Sequence, residues 1–271
     1  MTDLPRRAAP QGHGSGPLAT LPDGALDAVV EIARRAGTRI LDFYRGDYDV
    51  EHKADESPVT VADRAADAII VPALEALSPH IPVVSEERAA RSMGEGCFWL
   101  VDPLDGTKEF INHRDEFTVN VALIEGGRPV MGVVGLPVAD RIYSAFGPGT
   151  AAVIEGDAAP RPIAARAVPA DGLTVAASRS HANKEELDHF LEGRAVAERI
   201  TAGSSLKFCL VAEGRADLYP RFGPTMEWDT AAGQAVAEAA GGSVRTLDGA
   251  PLGYGKPNFR NPHFLVRGRD G

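Results

Sequence analysis

The chain has 271 residues, enough to bury a sizeable core in one large domain or in two that pack closely together. Its 28 Lys and Arg residues stand against 38 Asp and Glu residues, and the net charge of -10 disfavours a nucleic-acid polymer or an anionic membrane as partner. The two cysteines, Cys97 and Cys209, lie in apolar sequence and no apolar run reaches about 18 residues, so we expect neither a disulfide framework nor a membrane-spanning helix, and a reducing, cytoplasmic location.

The chain opens with a polar tail that is followed by two helices. Residues 1–20 are rich in Gly, Pro and Ala and have no apolar signal core, which predicts a disordered tail rather than a targeting peptide. Apolar residues at helical spacing predict an amphipathic helix over 23–44. A second helix is predicted over 60–77, with a kink or interruption at Pro72. Asp63 has the position of the acid in a capping box, a structural role that does not exclude a functional one.

The stretch over 98–110 predicts a buried strand, then a turn that carries two carboxylates, then the start of a helix. Pro103 restricts the backbone so that Asp102 and Asp105 converge on one side while the carbonyl of Leu104 stays free. Such hard oxygen ligands suit magnesium rather than zinc. The alternative is an ordinary surface turn that is rich in aspartate.

Residues on both sides of this turn could belong to the same site. Gly106 allows close approach of the backbone, and the amides of Gly106 and Thr107 could receive a phosphate. Upstream, a short apolar strand over 81–85 delivers Glu86 and Glu87 at its end. Acids at a strand end are either solvated loop residues or part of the site, and we expect Glu87 and the neighbouring Arg88 to be surface residues.

The remaining pattern divides the chain into two halves. A hairpin over 117–136 and a strand over 141–146 complete an α+β N-terminal half over 21–165, which ends in a stretch rich in Pro and Ala. The C-terminal half, 166–271, alternates strands and helices, as in an α/β unit. Its long Ala-rich helix starts at Asp229, which is either the N-cap or a functional acid.

Two distant stretches are similar to the signatures of the lithium-sensitive, magnesium-dependent inositol monophosphatase superfamily. They read Trp-Leu-Val-Asp-Pro-Leu-Asp-Gly-Thr over 99–107 and Glu-Trp-Asp-Thr-Ala-Ala-Gly over 227–233, with Ser-Glu-Glu upstream over 85–87. The resemblance covers 23–266 and implies an α/β fold, the layered αβαβα sandwich of the inositol monophosphatase and sugar phosphatase type. It places the site between the two halves of the chain.

The resemblance also implies a catalytic site with two to three Mg²⁺ ions. The metal ligands that it implies are one backbone carbonyl and four carboxylates, namely those of Leu104, Glu86, Asp102, Asp105 and Asp229. Asp102 would bridge two ions, and a third ion would lie near Glu86 and Asp63. Thr107, hydrogen-bonded to Asp63, would orient the attacking water and help to deprotonate it.

Within the superfamily the sequence looks most like the 3'(2'),5'-bisphosphate nucleotidases of the CysQ type. Lys-Glu-Phe follows at 108–110, where inositol monophosphatases typically have Thr-Asn-Phe, and 203–208 and 217–229 also fit the nucleotidase pattern. The resemblance implies hydrolysis of the 3'-phosphate of adenosine 3',5'-bisphosphate to AMP and phosphate, in the service of sulfate assimilation, with phosphoadenosine phosphosulfate as a second candidate substrate. It assigns the remaining phosphate to Ser204, Lys207 and Arg221 and places His181 in a loop near the nucleoside, and all four residues lie in the C-terminal half.

Several alternatives stay open from the sequence. An inositol monophosphatase or a fructose 1,6-bisphosphatase would share the metal site and differ in the anion pocket of the C-terminal half. A non-catalytic nucleotide or metal sensor would keep the fold without hydrolysis. Lys207 and Arg221 would, on the simplest alternative, be solvated surface cations. The expected partner is a small nucleotide bisphosphate, and the oligomeric state is left open, with a homodimer among the choices.

Overall fold

Six helices lie within the residues that the computed structural model describes, which are 21–46, 50–52, 58–88, 96–178 and 184–269. They are α1 (Ala25–Tyr44), α2 (Val61–Leu77), α3 (Thr107–Ile111), α4 (Lys184–Leu191), α5 (Leu206–Ala212) and α6 (Ala231–Ala239). The interruption predicted at Pro72 is wrong, because α2 continues through it to Leu77. Burial of the neighbouring Ile70, Val71 and Leu74 offsets the one backbone hydrogen bond that proline cannot make. Within these ranges, we find no helix with both the length and the apolar character that a bilayer crossing requires.

Strands from the first half of the chain form a short hairpin and a seven-stranded sheet. The hairpin pairs β1 (Val50–His52) with β2 (Pro58–Thr60). The sheet follows the order of the sequence: β3 (Val83–Ser85), β4 (Cys97–Asp105), β5 (Thr118–Glu125), β6 (Arg128–Leu136), β7 (Arg141–Phe146), β8 (Ala152–Glu155) and β9 (Arg161–Pro162). Only the pair of β3 and β4 is parallel within this sheet.

The turn predicted between Asp102 and Asp105 is instead the irregular last part of β4. Pairing with β5 is regular as far as Asp102, which faces Asn120, and resumes where Asp105 faces Thr118. Two residues of β4, Pro103 and Leu104, therefore lie opposite one residue of β5, Val119, which is a β-bulge. Pro103 lies inside this bulge, where its missing N–H costs no hydrogen bond of a regular ladder.

Strands from the second half form a separate five-stranded sheet. In chain order they are β10 (Leu173–Ser178), β11 (Val196–Ala202), β12 (Leu218–Arg221), β13 (Ser243–Thr246) and β14 (Phe264–Arg267), and their order in the sheet is β11-β10-β12-β14-β13. β10 is parallel to β11 and to β12, whereas β14 is antiparallel to both of its neighbours. The edge strand β11 was not predicted, because most of its residues are exposed and it lacks a continuous apolar run.

The helices and the two sheets pack in five layers, in the order αβαβα. Apolar residues of α1 and α2, including Val29 and Ile70, pack against Trp99 on one face of the first sheet. The opposite face packs against α6 and part of α5, which also cover the second sheet. Leu187 and Leu191 of α4 cover the outer face of that sheet. The predicted layered fold is thereby confirmed. The division into 21–165 and 166–271 stays a prediction, because α5 and α6 pack directly on the first sheet.

The two cysteines lie inside these layers. Cys97 and Cys209 are both buried free thiols. Burial, helped by the nearby Glu125 carboxylate, raises the pKa of Cys97 to about 11. Burial likewise raises the pKa of Cys209 well above its ordinary value. Both side chains are therefore protonated core residues at neutral pH, with little nucleophilic character.

The close contact between β6 and α6 predicts that a side chain at Gly132 would destabilise the fold. A Cβ at Gly132 would overlap the carbonyl oxygen of Ala232 and lie 2.7 Å from the Cβ of Ala235. Gly132→Ala should therefore push α6 away from the sheet and lower the free energy of unfolding by about 1–3 kcal/mol. Gly135→Ala on the same strand is the matched control, because its nearest neighbour would be 3.7 Å away. Equal urea midpoints for the two variants would contradict this packing.

Candidate active site

Carboxylates from both halves of the chain converge beside the end of the first sheet. Ser85 of β3 pairs with Val101 of β4, so Glu86 leaves its strand at the level of Asp102. Asp229 approaches from the other half, just before α6. Oxygen atoms of Glu86, Asp102 and Asp229 all lie within 4.8 Å of one another. The structure thus brings together acids that are more than a hundred residues apart in sequence.

Asp229 is not the N-cap of the helix that follows it. The N-cap of α6 is Thr230, and Asp229 lies one residue earlier. One of its carboxylate oxygens, Oδ2, accepts a hydrogen bond of 2.9 Å from the amide of Met226. This contact orients the carboxylate within a turn that precedes the helix, so the alternative that Asp229 is the N-cap is wrong.

Burial and mutual repulsion dominate the electrostatics of the acidic cluster. Asp102 is only 1% exposed to solvent. Burial, followed by the charges of Glu86, Asp105, Asp229 and Asp63, raises its pKa well above the usual range. Burial and the charge of Asp105 also raise the pKa of Asp229. Ionising these groups together is costly unless a cation compensates them.

Asp105 accepts hydrogen bonds from Ser204 and Ser205 in the C-terminal half. Burial raises its pKa, while the Lys207 ammonium and hydrogen bonds from Ser204 and Ser205 act in the opposite direction. The amide of Ser205 donates to Asp105 Oδ2 at 2.7 Å. The Asp105 carboxylate therefore has a fixed position at the junction of the two halves.

The chemistry of this donor set fits a hard divalent cation. Every group in the cluster is a carboxylate, and oxygen ligands with a high negative charge are the ones that Mg²⁺ takes in proteins. Leu104 is 1% exposed, and its amide donates to Asp102 Oδ1 at 3.1 Å. This bond fixes the bulge that carries both strand aspartates. The acids repel one another when they are ionised, and this repulsion is one cause of their raised pKa values. A bound cation would offset the repulsion, which explains why this cluster would bind one.

The raised pKa values predict how the stability of the metal-free protein depends on pH. Folding raises the pKa of Asp102 and Asp229, so the folded state binds more protons than the unfolded state between the ordinary and the raised values. The free energy of unfolding in EDTA should fall as pH rises through that window. Saturating Mg²⁺ should restore about 2–3 kcal/mol at a hundred times its dissociation constant. Urea unfolding from pH 4.5 to 7.5 measures both effects, and no gain from Mg²⁺ at pH 7.5 would contradict the prediction.

A cavity of about 300 Å³ opens above this cluster, between the two halves. The predicted site residues that line it are Asp63, Glu86, Asp105, Gly106, Thr107, Ser204, Lys207, Arg221 and Asp229. Asp102 and Leu104 are buried beside it rather than in its lining. Glu87, which the sequence left as a surface residue, also lines it. His181 lies outside the described residues.

Two buried cations line the same cavity as the acids. Lys207 is 2% exposed and Arg221 is 8% exposed, so the alternative that they are solvated surface cations is wrong. Burial lowers the pKa of Lys207 to about 8, an effect that the Asp105 charge opposes. The Nη2 atom of Arg221 donates to the carbonyl of Pro224 at 2.9 Å, whereas its buried Nε finds no partner in the part of the chain that the structure describes.

Lys207 also fixes the turn that precedes α5. Its ammonium donates to the carbonyls of Ala202 at 3.2 Å and of Ser204 at 2.5 Å. Ser204 has a φ of 50°, in the left-handed region that residues other than glycine rarely adopt. These bonds hold the Ser204 side chain toward the cavity, 2.6 Å from the Thr118 hydroxyl.

Other supporting residues were missed by sequence analysis. Arg88, which we expected at the surface, donates from Nε to Asp67 Oδ2 at 2.7 Å. The hydroxyl of Ser85 donates to the other carboxylate oxygen, Asp67 Oδ1, at 2.5 Å. Asp67 thereby holds both ends of the segment that carries Glu86. The available signal was its spacing, because Asp67 lies four residues after Asp63 and so on the same face of α2.

Comparisons with known proteins agree with this geometry. The model of the inositol monophosphatase family matches residues 23–265. The 3'(2'),5'-bisphosphate nucleotidase CysQ of Shigella flexneri is 48% identical over 252 residues, which cover 89% of this chain and 98% of that protein. The protein of the same name from Escherichia coli K12 is 49% identical, with the same coverage.

Solved structures give the same result for the fold. The crystal structure of CysQ from Bacteroides thetaiotaomicron superposes with a TM-score of 0.80 at 39% identity, covering 94% of this chain and all (100%) of that one. An inositol monophosphatase from Zymomonas mobilis superposes with a TM-score of 0.73 at 26% identity, covering 90% of this chain and 92% of that one.

Proposed function

The chain belongs to the inositol monophosphatase family, and on that premise we propose that it is a magnesium-dependent 3'(2'),5'-bisphosphate nucleotidase. Its reaction would be the hydrolysis of adenosine 3',5'-bisphosphate at the 3'-phosphate, giving AMP and inorganic phosphate. The observation that carries this proposal is the pair of buried cations, Lys207 and Arg221, in the cavity of the acidic cluster. The names of the relatives at 48–49% identity support the same substrate.

The acidic side of the cavity would hold two to three Mg²⁺ ions. The residues proposed as ligands are four carboxylates and one carbonyl, those of Glu86, Asp102, Asp105, Asp229 and Leu104. When bound, the ions supply charge neutralisation for the phosphoryl group and the leaving oxygen, and they lower the pKa of water. The protein contributes carboxylates whose positions are already fixed by backbone amides at Leu104, Ser205 and Met226.

Asp63 and Thr107 are proposed to act on the attacking water. Both line the cavity, and Asp63 is 5% exposed in the first turn of α2. A hydroxyl beside a buried carboxylate can hold a water molecule in one orientation and accept its proton through the carboxylate. The amides at Gly106 and Thr107 would contact the phosphoryl oxygens. Gly106 has a φ of 93°, and a Cβ added there would lie 3.3 Å from both Phe117 Cα and Ser204 Cβ, so a side chain would be strained.

The basic side of the cavity would hold the second phosphate of the nucleotide. Arg221 would donate from its guanidinium, and Lys207 would add charge while it holds Ser204 in place. Ser204 completes the set that the family resemblance assigns to this role, and His181 is proposed to lie near the nucleoside. Charge-assisted hydrogen bonds contribute about 1.5–3 kcal/mol each, so two of them suffice to separate a bisphosphate from a monophosphate. We place the reaction in the cytoplasm, with phosphoadenosine phosphosulfate as a second candidate substrate.

A panel of phosphate-release assays tests the proposed function. The substrates are adenosine 3',5'-bisphosphate, phosphoadenosine phosphosulfate, inositol 1-phosphate and fructose 1,6-bisphosphate, each with Mg²⁺ titrated from zero. We expect the highest kcat/KM on adenosine 3',5'-bisphosphate and no release without Mg²⁺. Higher activity on inositol 1-phosphate or on fructose 1,6-bisphosphate would favour the phosphatases that share the metal site. Tight nucleotide binding without release would instead favour a sensor.

A further inference from the structure

Glu227 is a fully buried carboxylate that lies two residues before Asp229. It is 0% exposed and does not line the main cavity. Its Oε1 accepts hydrogen bonds from the amide of Lys256 at 2.9 Å and from the Lys256 ammonium at 2.6 Å, and its Oε2 accepts from the amide of Gly255 at 2.8 Å. A buried charge with this many partners is fixed in place, because losing any of them leaves an uncompensated polar group.

The backbone of Glu227 is held as firmly as its side chain. Its amide donates to the carbonyl of Phe259 at 2.7 Å, and its carbonyl accepts from the amide of Ala231 at 3.0 Å and from the Thr230 hydroxyl at 3.1 Å. Nearby, the side-chain amide of Asn261 donates to the carbonyl of Met226 at 2.8 Å. Hydrogen bonds from the stretch over 253–261 therefore hold the turn over 225–230 along its whole length.

This turn fixes the position of the Asp229 carboxylate, which lines the cavity. Oδ2 of Asp229 is bound to the amide of Met226, the residue before Glu227, at 2.9 Å. Any movement of Glu227 thus moves the donor that orients Asp229. The stretch over 253–261 does not itself line the cavity, so its contacts serve the turn and not a ligand directly.

We propose that Glu227 and Lys256 form a clamp that positions Asp229 for binding the metal ion. The clamp acts through the turn and contributes no ligand of its own. The inference rests on the proposed metal role of Asp229, and it adds a positioning pair to that role. It predicts that metal affinity depends on an ion pair that touches neither the metal site nor the substrate cavity.

The test compares Glu227→Gln with a matched control, Asp217→Asn. Asp217 is equally buried, accepts from the amide of Thr174 at 2.7 Å and is paired with Arg166 at 2.8 Å, but it lies outside the main cavity. Titration calorimetry with MgCl₂ alone, on the full chain without nucleotide, measures the affinity. Glu227→Gln should weaken Mg²⁺ binding tenfold or more, and Asp217→Asn less than twofold, even where both lower the melting temperature similarly.

A milder variant keeps the test decisive if Glu227→Gln does not fold. Lys256→Met removes one partner of Glu227 from a side chain that is 31% exposed and leaves both backbone amides in place. It should weaken Mg²⁺ binding about two- to fivefold. Mg²⁺ affinities for the clamp variants that equal that of Asp217→Asn would overturn the clamp. Weakened Mg²⁺ binding in a chain that releases no phosphate from adenosine 3',5'-bisphosphate would support the clamp and reject the proposed function.

Discussion

Asp102→Asn should lower phosphate release at saturating Mg²⁺ by about a thousandfold or more. Asp102 is the most buried acid of the cluster and the proposed bridging ligand, so the change removes a charge that the metal ions need. Metal ions contribute several kcal/mol to stabilising the transition state, and each 1.36 kcal/mol is about tenfold in rate. Single-turnover phosphate release measures the loss. Activity within tenfold of wild type would contradict the shared-metal arrangement.

The same variant should not lose stability in the absence of metal. The Asp102 carboxylate has a raised pKa, so its ionised form destabilises the folded, metal-free protein at neutral pH. Asparagine removes that charge and keeps an oxygen for the amide of Leu104. In EDTA at pH 7.5 the urea midpoint should stay the same or rise. A large fall would mean that Asp102 acts as a structural residue, and the loss of activity would then say nothing about metal binding.

Arg221→Ala should raise KM for adenosine 3',5'-bisphosphate about ten- to hundredfold. The loss corresponds to one charge-assisted hydrogen bond of about 1.5–3 kcal/mol, made by the Arg221 guanidinium, which lines the cavity. KM for adenosine 3'-monophosphate, which lacks the second phosphate, should change less than threefold. Steady-state kinetics on both substrates give the comparison.

Arg166→Ala is the control for this experiment. Arg166 is also paired with a buried group, since its Nε donates to Asp217 Oδ1 at 2.8 Å, but it does not line the main cavity. It should leave the ratio of the two KM values unchanged. If Arg221→Ala affects both substrates equally, Arg221 shapes the cavity and does not bind the second phosphate.

Local sequence pattern was sufficient for the helices and strands that carry the site. The apolar stretch before Asp102, the spacing along α1 and the apolar strand before Glu86 each depend on nearby residues, and the structure has elements in those places. The five layers followed from a resemblance and not from the pattern itself. Periodicity indicates which face of an element is buried, but it does not indicate against which other element it packs.

The errors arose where distant contacts decide the local structure. Pro103 and two aspartates are typical of a turn, but pairing with Thr118 and Asn120 makes this segment a bulged strand. Asp229 is a favourable N-cap residue, yet its carboxylate accepts a hydrogen bond from the amide of Met226 instead of capping the helix. Arg88 has the sequence context of a surface residue, and only the fold brings it to Asp67. For Pro103 and Arg88 the deciding partner is remote in sequence. For Asp229 it is an amide three residues earlier, in a turn that contacts from Phe259 and Asn261 hold in place.

Identification of the product of adenosine 3',5'-bisphosphate hydrolysis tests the central claim most directly. The acids and the two buried cations line one cavity, and the proposed function requires the nucleotide to bind there with its 3'-phosphate at the acids and its other phosphate at Arg221. Phosphorus NMR of the reaction with Mg²⁺ should show inorganic phosphate and adenosine 5'-monophosphate in equal amounts. Formation of adenosine 3'-monophosphate, or no phosphate release at saturating Mg²⁺, would contradict the account.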